Sequence, residues 1–303
     1  MAADPFAGFT EGHVEGERER LFCRAGGPET APAVVLLHGY PQTHMMWHAV
    51  APALAERFRV VLFDLPGYGR SSVPPDAPDH APYSKRRMAH EVAAATARLG
   101  HRRFRLVGHD RGARVAYRLA LDLPERIERV AVLDIVPTGA LWRDFTPERG
   151  LRFYHWLFLA QPAPLPEMLI GSNPVAFLDR TIAGWTKRRD LSAFAPAALD
   201  DYHRFFSDPA RLHATCEDYR AGAGIDRIHD EETMARGGTI AAPLLVLYGD
   251  TNFAGQNASP LDVWRDWAAD VSGAAVDSGH FIPEENPAAT LRHLSAFLSA
   301  GRT

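Results

Sequence analysis

Three short apolar runs, residues 34–37, 60–63 and 104–107, each stop at Gly, Pro, Asp or His, the residues that favour turns and loops. Two later runs, 130–135 and 244–248, repeat the pattern, and the Ala-, Leu- and Arg-rich stretches between them, such as 88–99 and 111–122, predict helices. Strands without polar alternation are buried on both faces. Alternating with helices, they predict an α/β fold with a mostly parallel sheet flanked by helices. Residues 139–238 break the pattern, with many aromatics (Phe153, Tyr154, Trp156, Phe158, Trp185, Phe205, Phe206, Tyr219), several prolines and no strand run. They predict a helical cap inserted into a core made of residues 1–138 and 239–303. A strand, a helix and a final loop containing His280 then resume the α/β order. Ligands of open α/β sheets bind at the carboxyl ends of the strands, so the loops there hold the candidate chemistry.

A chain of 303 residues suffices for one large domain or a domain carrying an insertion. Its net charge of −4 and pI near 6.4 give no strong field for nucleic acid or an anionic membrane. Lys85 and Lys187 are the only lysines, and the basic clusters Lys85-Arg86-Arg87 and Arg102-Arg103 read as solvated helix or loop faces. Cys23 and Cys216 lie far apart and outside any metal or redox motif, which fits a reducing compartment. The N-terminus shows no basic stretch followed by an apolar run, and no segment approaches about 18 consecutive apolar residues, so a soluble, cytoplasmic protein is expected.

The run 104–107 leads into Gly108-His109-Asp110-Arg111-Gly112 and then a helix. This is the layout of a nucleophile elbow, a sharp strand-to-helix turn in which backbone crowds the nucleophile and glycine relieves the crowding. Serine usually stands at its centre; here it is Asp110. A carboxylate there suits attack on a saturated carbon bearing a leaving group, through an ester intermediate. The bland alternative is a chance Gly-x-Asp-x-Gly turn with Asp110 as a helix cap. Three companion motifs argue against it: His38-Gly39-Tyr40-Pro41 after the first run, the segment from Asp64 to Ser72 after the second, and Ser278-Gly279-His280-Phe281 near the C-terminus. His44 and His48 have the spacing of a zinc helix but lack the glutamate that should follow the first histidine. With no G-x-G-x-x-G or Walker pattern either, no metal and no cofactor is expected.

At these residues the chain resembles the α/β-hydrolase superfamily, in particular its aspartate-nucleophile branch of haloalkane dehalogenases, epoxide hydrolases and fluoroacetate dehalogenases. Within that branch it is most similar to fluoroacetate dehalogenases, over residues 38–48, 108–122, 133–138, 154–166, 216–222, 260–267 and 278–284. The resemblance implies that Asp110 attacks the halogen-bearing carbon, that His280 activates water to hydrolyse the ester, and that Asp134 orients His280. It implies backbone N–H groups of Tyr40 and Arg111 as the oxyanion hole. It also implies Arg111 and Arg114 as a clamp on the substrate carboxylate, and His155, Trp156 and Tyr219 as halide donors.

Chemistry supports the clamp separately. Arg111 stands where haloalkane dehalogenases and epoxide hydrolases usually carry tryptophan, and Arg114 follows one helical turn later. Two guanidiniums beside a helix N-terminus suit a small anion. The plainer alternatives are an acid-paired surface Arg114, and core packing for Trp156, Tyr219 and Trp185. Asp250, after the run 244–248, occupies another place where such folds put the acid; the resemblance favours Asp134, and residues 250–257 depart from it. The expected reaction is hydrolysis of a small 2-haloacid, fluoroacetate to glycolate and fluoride and chloroacetate likewise, with only substrate and water as partners and a homodimer implied. An epoxide hydrolase would need tyrosines such as Tyr154 or Tyr219 to protonate the epoxide, and has no use for a carboxylate clamp. A ligand-binding relative without turnover is the remaining alternative, against which the Asp110, Asp134 and His280 set stands.

Overall fold

In the computed structural model, which describes residues 4–251 and 259–301, the five apolar runs become five adjacent strands. The strands are β1 (Thr10–Glu15), β2 (Arg20–Gly26), β3 (Ala33–Leu37), β4 (Arg59–Phe63), β5 (Phe104–His109), β6 (Ile127–Leu133), β7 (Leu244–Gly249) and β8 (Val271–Val276). They form one eight-stranded sheet in the order β1-β2-β4-β3-β5-β6-β7-β8, antiparallel at β1/β2 and β2/β4 and parallel elsewhere. Side chains alternate between its faces. Val34, Leu36, Val60 and Leu62 enter one buried cluster, while Val35, Leu37, Val61 and Phe63 enter the other.

Both edges lack the continuous apolar signal, for a physical reason. The edge strand β1 is exposed or half-exposed along its whole length, so its sequence has no buried face to fill. At the other edge β8 is mostly Ser, Gly and Ala and largely exposed. The run 130–135 also ends earlier than its apolar residues suggest, because Asp134 takes a left-handed φ of 59° and leaves the strand.

Helices α1 (Ala51–Ala55), α2 (Lys85–Arg98) and α3 (Asp110–Asp122) lie between the strands up to β6. From β6 to β7 the elements are all helical: α4 (Thr138–Arg143), α5 (Pro147–Arg152), α6 (Tyr154–Leu159), α7 (Leu165–Gly171), α8 (Pro174–Trp185), α9 (Pro196–Phe206), α10 (Pro209–Ala223) and α11 (Ile225–Ala235). The prolines of this stretch start helices rather than break them: α5, α8, α9 and α10 each open on proline, where no intrahelical N–H is needed. Asp208 caps α10 by accepting from the N–H groups of Ala210 and Arg211 at 2.9 and 3.3 Å, a cap worth about 1 kcal/mol. Helices α12 (Pro260–Arg265), α13 (Ile282–Glu285) and α14 (Pro287–Ser299) complete the chain. No described helix is long and apolar enough to cross a membrane.

The strand order reverses at β3. The chain passes from β3 to β4 on one side, then returns to place β5 on the other. The carboxyl ends of β3 and β5 therefore flank a crevice, the place where open α/β sheets bind ligands.

Candidate active site

Asp110 is the first residue of α3, directly after β5, with a φ of 45°. A non-glycine residue in this region is strained and persists only where its surroundings enforce it. The enforcement is visible in the flanking glycines. A side chain at Gly108 would collide with the Gly112 backbone, and one at Gly112 would lie 2.7 Å from the Leu37 carbonyl of β3. The turn is thereby pressed against the loop after β3, whose Tyr40 N–H donates to Asp110 Oδ2 at 3.0 Å. The N–H of Arg111 belongs to the first turn of α3, where amides have no intrahelical acceptor. Burial opposes a charge on Asp110, but His280, His109, Arg111 and Arg114 more than offset this and hold the carboxyl below its ordinary range.

His280 sits in the loop after β8, and its Nδ1 lies 2.5 Å from Asp134 Oδ2. The other Asp134 oxygen accepts from Gly249 N–H at 2.8 Å, so both oxygens are fixed. Burial would lower the His280 pKa; the hydrogen bond and charge of Asp134, with the charge of Asp110, raise it above the usual value. Asp250 is elsewhere: it pairs with Lys187, Nζ to Oδ2 at 2.6 Å, on a half-exposed surface. Residues 252–257 of the loop that departs from the resemblance lie outside the described residues.

Arg111 and Arg114 are both buried, and both stack on Trp156, their guanidinium carbons 5.0 and 4.5 Å from its ring centre. Arg111 also covers Tyr219, at 4.3 Å. Arg114 donates through Nη1 to Val136 O at 3.1 Å and Thr138 Oγ1 at 2.9 Å, and among the described residues no acid forms an ion pair with it. Burial and the neighbouring Arg111 lower its pKa. Two buried donors, Arg111 Nη1 and Arg114 Nε, have no hydrogen-bond partner among the described residues. His155 Nδ1 is a third buried polar atom without a partner among them. Burial drives the His155 pKa down to about 3, so its imidazole is neutral and carries one N–H.

A cavity of about 610 Å³ meets these groups; Asp110, Arg114, Asp134, His155, Trp156, Trp185 and His280 line it. Arg111 and Tyr219 stand behind that wall. Trp185, left open by the sequence, packs 4.4 Å from the His155 ring and 5.4 Å from that of His280.

Several participants carried no motif. Lys85 corrects an expectation: it is 1% exposed rather than solvated, because its ammonium is ion-paired with Asp218. Asp218 in turn grips Arg111, Nε to Oδ2 at 3.0 Å and Nη2 to Oδ1 at 2.6 Å. His109 donates through Nε2 to the His280 carbonyl at 2.8 Å, neutral because burial takes its pKa to about 3. Glu285 accepts from Gly279 and Phe281 N–H, both at 2.9 Å, and shapes the loop around His280. The only available signal was adjacency: His109, Asp218 and Glu285 each lie within a few residues of a motif. His44 and His48 are structural, His44 Nδ1 on Asp64 at 2.8 Å and His48 Nδ1 on Met45 O at 3.0 Å.

The chain is 40% identical to a fluoroacetate dehalogenase from Burkholderia sp., over 98% of this chain and 96% of that one. It is 31% identical to a soluble epoxide hydrolase from Corynebacterium sp. (strain C12), over 84% and 85% of the two chains. Among solved structures, a candidate α/β hydrolase from Nostoc sp. PCC 7120 matches with a TM-score of 0.94 at 47% identity, covering 98% of this chain and all of that one. The family model for the alpha/beta hydrolase fold matches residues 32–287. With this sheet, this elbow and these relatives, the chain belongs to the α/β-hydrolase family.

Proposed function

We propose that the protein hydrolyses the carbon–halogen bond of a small 2-haloacid such as fluoroacetate or chloroacetate. The observation that carries this reading is a pair of buried guanidinium donors near Asp110 without partners among the described residues: Arg114 Nε on a residue lining the cavity, and Arg111 Nη1 directly behind that wall. A buried unmade hydrogen bond costs roughly 1–3 kcal/mol, more on a charged group, and a substrate carboxylate would remove that cost. The relative named a fluoroacetate dehalogenase, 40% identical over almost the whole chain, supports the same chemistry.

The contacts suggest how each step runs. Tyr40 N–H holds Asp110 Oδ2, which leaves Oδ1 to attack the carbon bearing the halogen. A C–O bond forms, the C–X bond breaks, and halide leaves toward the N–H groups of His155 and Trp156 and the hydroxyl of Tyr219. Oδ2 is now the ester carbonyl oxygen and still faces Tyr40 N–H. With Nδ1–H committed to Asp134, His280 Nε2 takes a proton from water. The hydroxide adds to the Asp110 carboxyl carbon, and negative charge develops on Oδ2, where the Tyr40 and Arg111 amides stabilise it. Collapse breaks the bond between the Asp110 carboxyl carbon and the substrate oxygen, and His280 gives its proton to the departing alkoxide. The remaining carboxyl proton passes to solvent, which releases the 2-hydroxy acid and restores Asp110 as a carboxylate. In this reading the stretch from α4 to α11 is a cap, residues 139–238, over a core of residues 1–138 and 239–303.

Two observations favour an epoxide hydrolase: the 31% identical relative of that name, and a 43% identical solved structure of a candidate epoxide hydrolase from Pseudomonas aeruginosa. The two donors without partners among the described residues, Arg111 Nη1 and Arg114 Nε, weigh against it. Halide release from fluoroacetate, chloroacetate and a neutral haloalkane, beside diol formation from a styrene-type epoxide, separates the two. Release from the haloacids alone is expected, and release from the neutral substrate alone overturns the clamp. His280→Asn should accumulate an ester on Asp110 visible in the intact mass, and Asp110→Asn should show neither ester nor turnover. A bound substrate without adduct in His280→Asn refutes the two-step route.

A further inference from the structure

Asp218 and Lys85 are not among the residues that line the cavity, and the steps above do not use them. Both are buried, with 0 and 1% exposure. Asp218 binds Arg111 through three acceptors: Oδ2 takes Nε at 3.0 Å, Oδ1 takes Nη2 at 2.6 Å, and its carbonyl takes Nη2 again at 2.8 Å. Two of the three guanidinium nitrogens are thereby fixed, so the plane cannot rotate, and among the described residues only Nη1 stays unengaged. The same helix provides room for this grip. Gly222, one turn beyond Asp218 on α10, would place a Cβ 3.0 Å from Arg111 Nη2 if it were any larger residue. Asp218 is itself held: Tyr68 Oη donates to Oδ2 at 2.7 Å, and Lys85 Nζ pairs with Oδ1. Lys85 is anchored from its own backbone, its N–H donating to Asp226 Oδ1 at 2.7 Å, with Nζ 3.9 Å from Asp226 Oδ2.

A carboxylate this close to an anion-binding arginine presents a conflict. It orients the guanidinium, yet its negative charge opposes the arrival of a second carboxylate. Lys85 resolves the conflict, because it adds a second cation to Asp218 at Oδ1 and does not itself line the cavity. Arg111 and Lys85 together balance Asp218 and Asp226, whereas without Lys85 the buried cluster would be net negative next to a substrate anion.

We propose that Asp218 and Lys85 are a pair of positioning residues for the substrate carboxylate, with divided tasks: Asp218 sets the orientation of Arg111, and Lys85 maintains the charge that lets Arg111 attract an anion. This rests on the reading that Arg111 and Arg114 receive the carboxylate. The division predicts opposite kinetic signatures. Orientation errors of about 1 Å act on the reacting geometry and can cost on the order of a hundredfold in rate, whereas a charge deficit acts on ground-state and transition-state binding alike and appears in KM.

The test is steady-state halide release from chloroacetate, with acetate as a competitive probe, for the parent, Asp218→Asn, Lys85→Met, Arg111→Leu and the Asp218→Asn/Arg111→Leu double variant. Lys85→Met should raise KM and the acetate inhibition constant about tenfold or more, with kcat changed less than about threefold. Asp218→Asn should lower kcat about tenfold or more without weakening acetate, and should add little once Arg111 is already leucine. If Asp218→Asn does not fold, Tyr68→Phe removes one anchor of Asp218 and should show the same kcat loss at smaller amplitude. Folded variants that leave these constants unchanged, or that move the same constant in the same direction, overturn the proposal. So does an Asp218→Asn loss that persists undiminished without Arg111. If the parent releases halide from no haloacid, the dehalogenase reading fails on its own. Calorimetric acetate binding by the parent, weakened in Lys85→Met and retained in Asp218→Asn, then still upholds the division of tasks, and uniform or absent binding refutes it.

Discussion

Replacing Arg114 by leucine should separate stability from affinity. The side chain is 4% exposed, no acid among the described residues pairs with it, and it lies near the Arg111 cation. Its burial is therefore an expense, recovered in part through the bonds of Nη1 to Val136 O and Thr138 Oγ1, about 1 kcal/mol each. Leucine forfeits those bonds and the attraction of Asp110, but removes a buried cation set against Arg111 and still covers the Trp156 face, which Arg114 approaches to 4.5 Å. The two changes nearly cancel, so the melting temperature should stay within about 4 °C of the parent or rise. Substrate binding has no such compensation. A charge-assisted bond to the carboxylate is worth roughly 1.5–3 kcal/mol, or about tenfold to a hundredfold in KM. The assay is fluoride- or chloride-electrode kinetics on the haloacids beside a melting curve. A KM within about threefold of the parent would refute the reasoning, and so would a collapse in stability, which would make Arg114 a structural residue.

The remaining predictions concern pH. Asp134 raises the His280 pKa above 6.5 against the effect of burial, and the base must be neutral to accept a proton. Turnover should therefore rise with pH through a value above 6.5, and Asp134→Asn should move that limb to lower pH while reducing kcat; an unmoved limb would remove Asp134 from the role. Burial pushes the Asp230 carboxyl from 3.8 up to about 6, although Gly139 N–H and Tyr117 Oη both donate to it. The native state then holds this proton more tightly than the unfolded chain. Its contribution is complete below about pH 4 and is lost as pH rises to about 6, by at most about 3 kcal/mol. Asp230→Asn keeps the acceptor without the charge, so denaturant midpoints should become flatter over that range and higher than the parent's at pH 7; parallel curves would contradict the assignment.

The centre of the fold was legible because buried parallel strands must be continuously apolar, and β3 to β7 obey that rule. The edges were not, since β1 and β8 have too little buried surface to mark their sequences. In the site, local motifs announced what local geometry constrains: the glycines around Asp110, the loop at Tyr40 and the histidine of the last loop. Asp218 and Lys85 escaped because their environment is made by residues 133 positions apart in the chain. Lys85 stands in a run of bases that looks solvated, and only the packing of α10 against the segment before α2 puts it in the dark. Nor could spacing decide between Asp134 and Asp250, since both follow a strand; the 2.5 Å contact with His280 belongs to Asp134.

The peptide N–H of His280 is bonded to the carbonyl of Trp185 at 2.9 Å, the last residue of α8, and the neighbouring Lys187 N–H reaches Glu285 at 2.8 Å. The helical layer and the histidine loop are thus laced together by main chain at the point where water would be activated. The setting of the histidine that holds Asp134 is therefore tied to the C-terminal end of a cap-region helix, so a substitution that shifts the end of α8 acts on His280 without touching it.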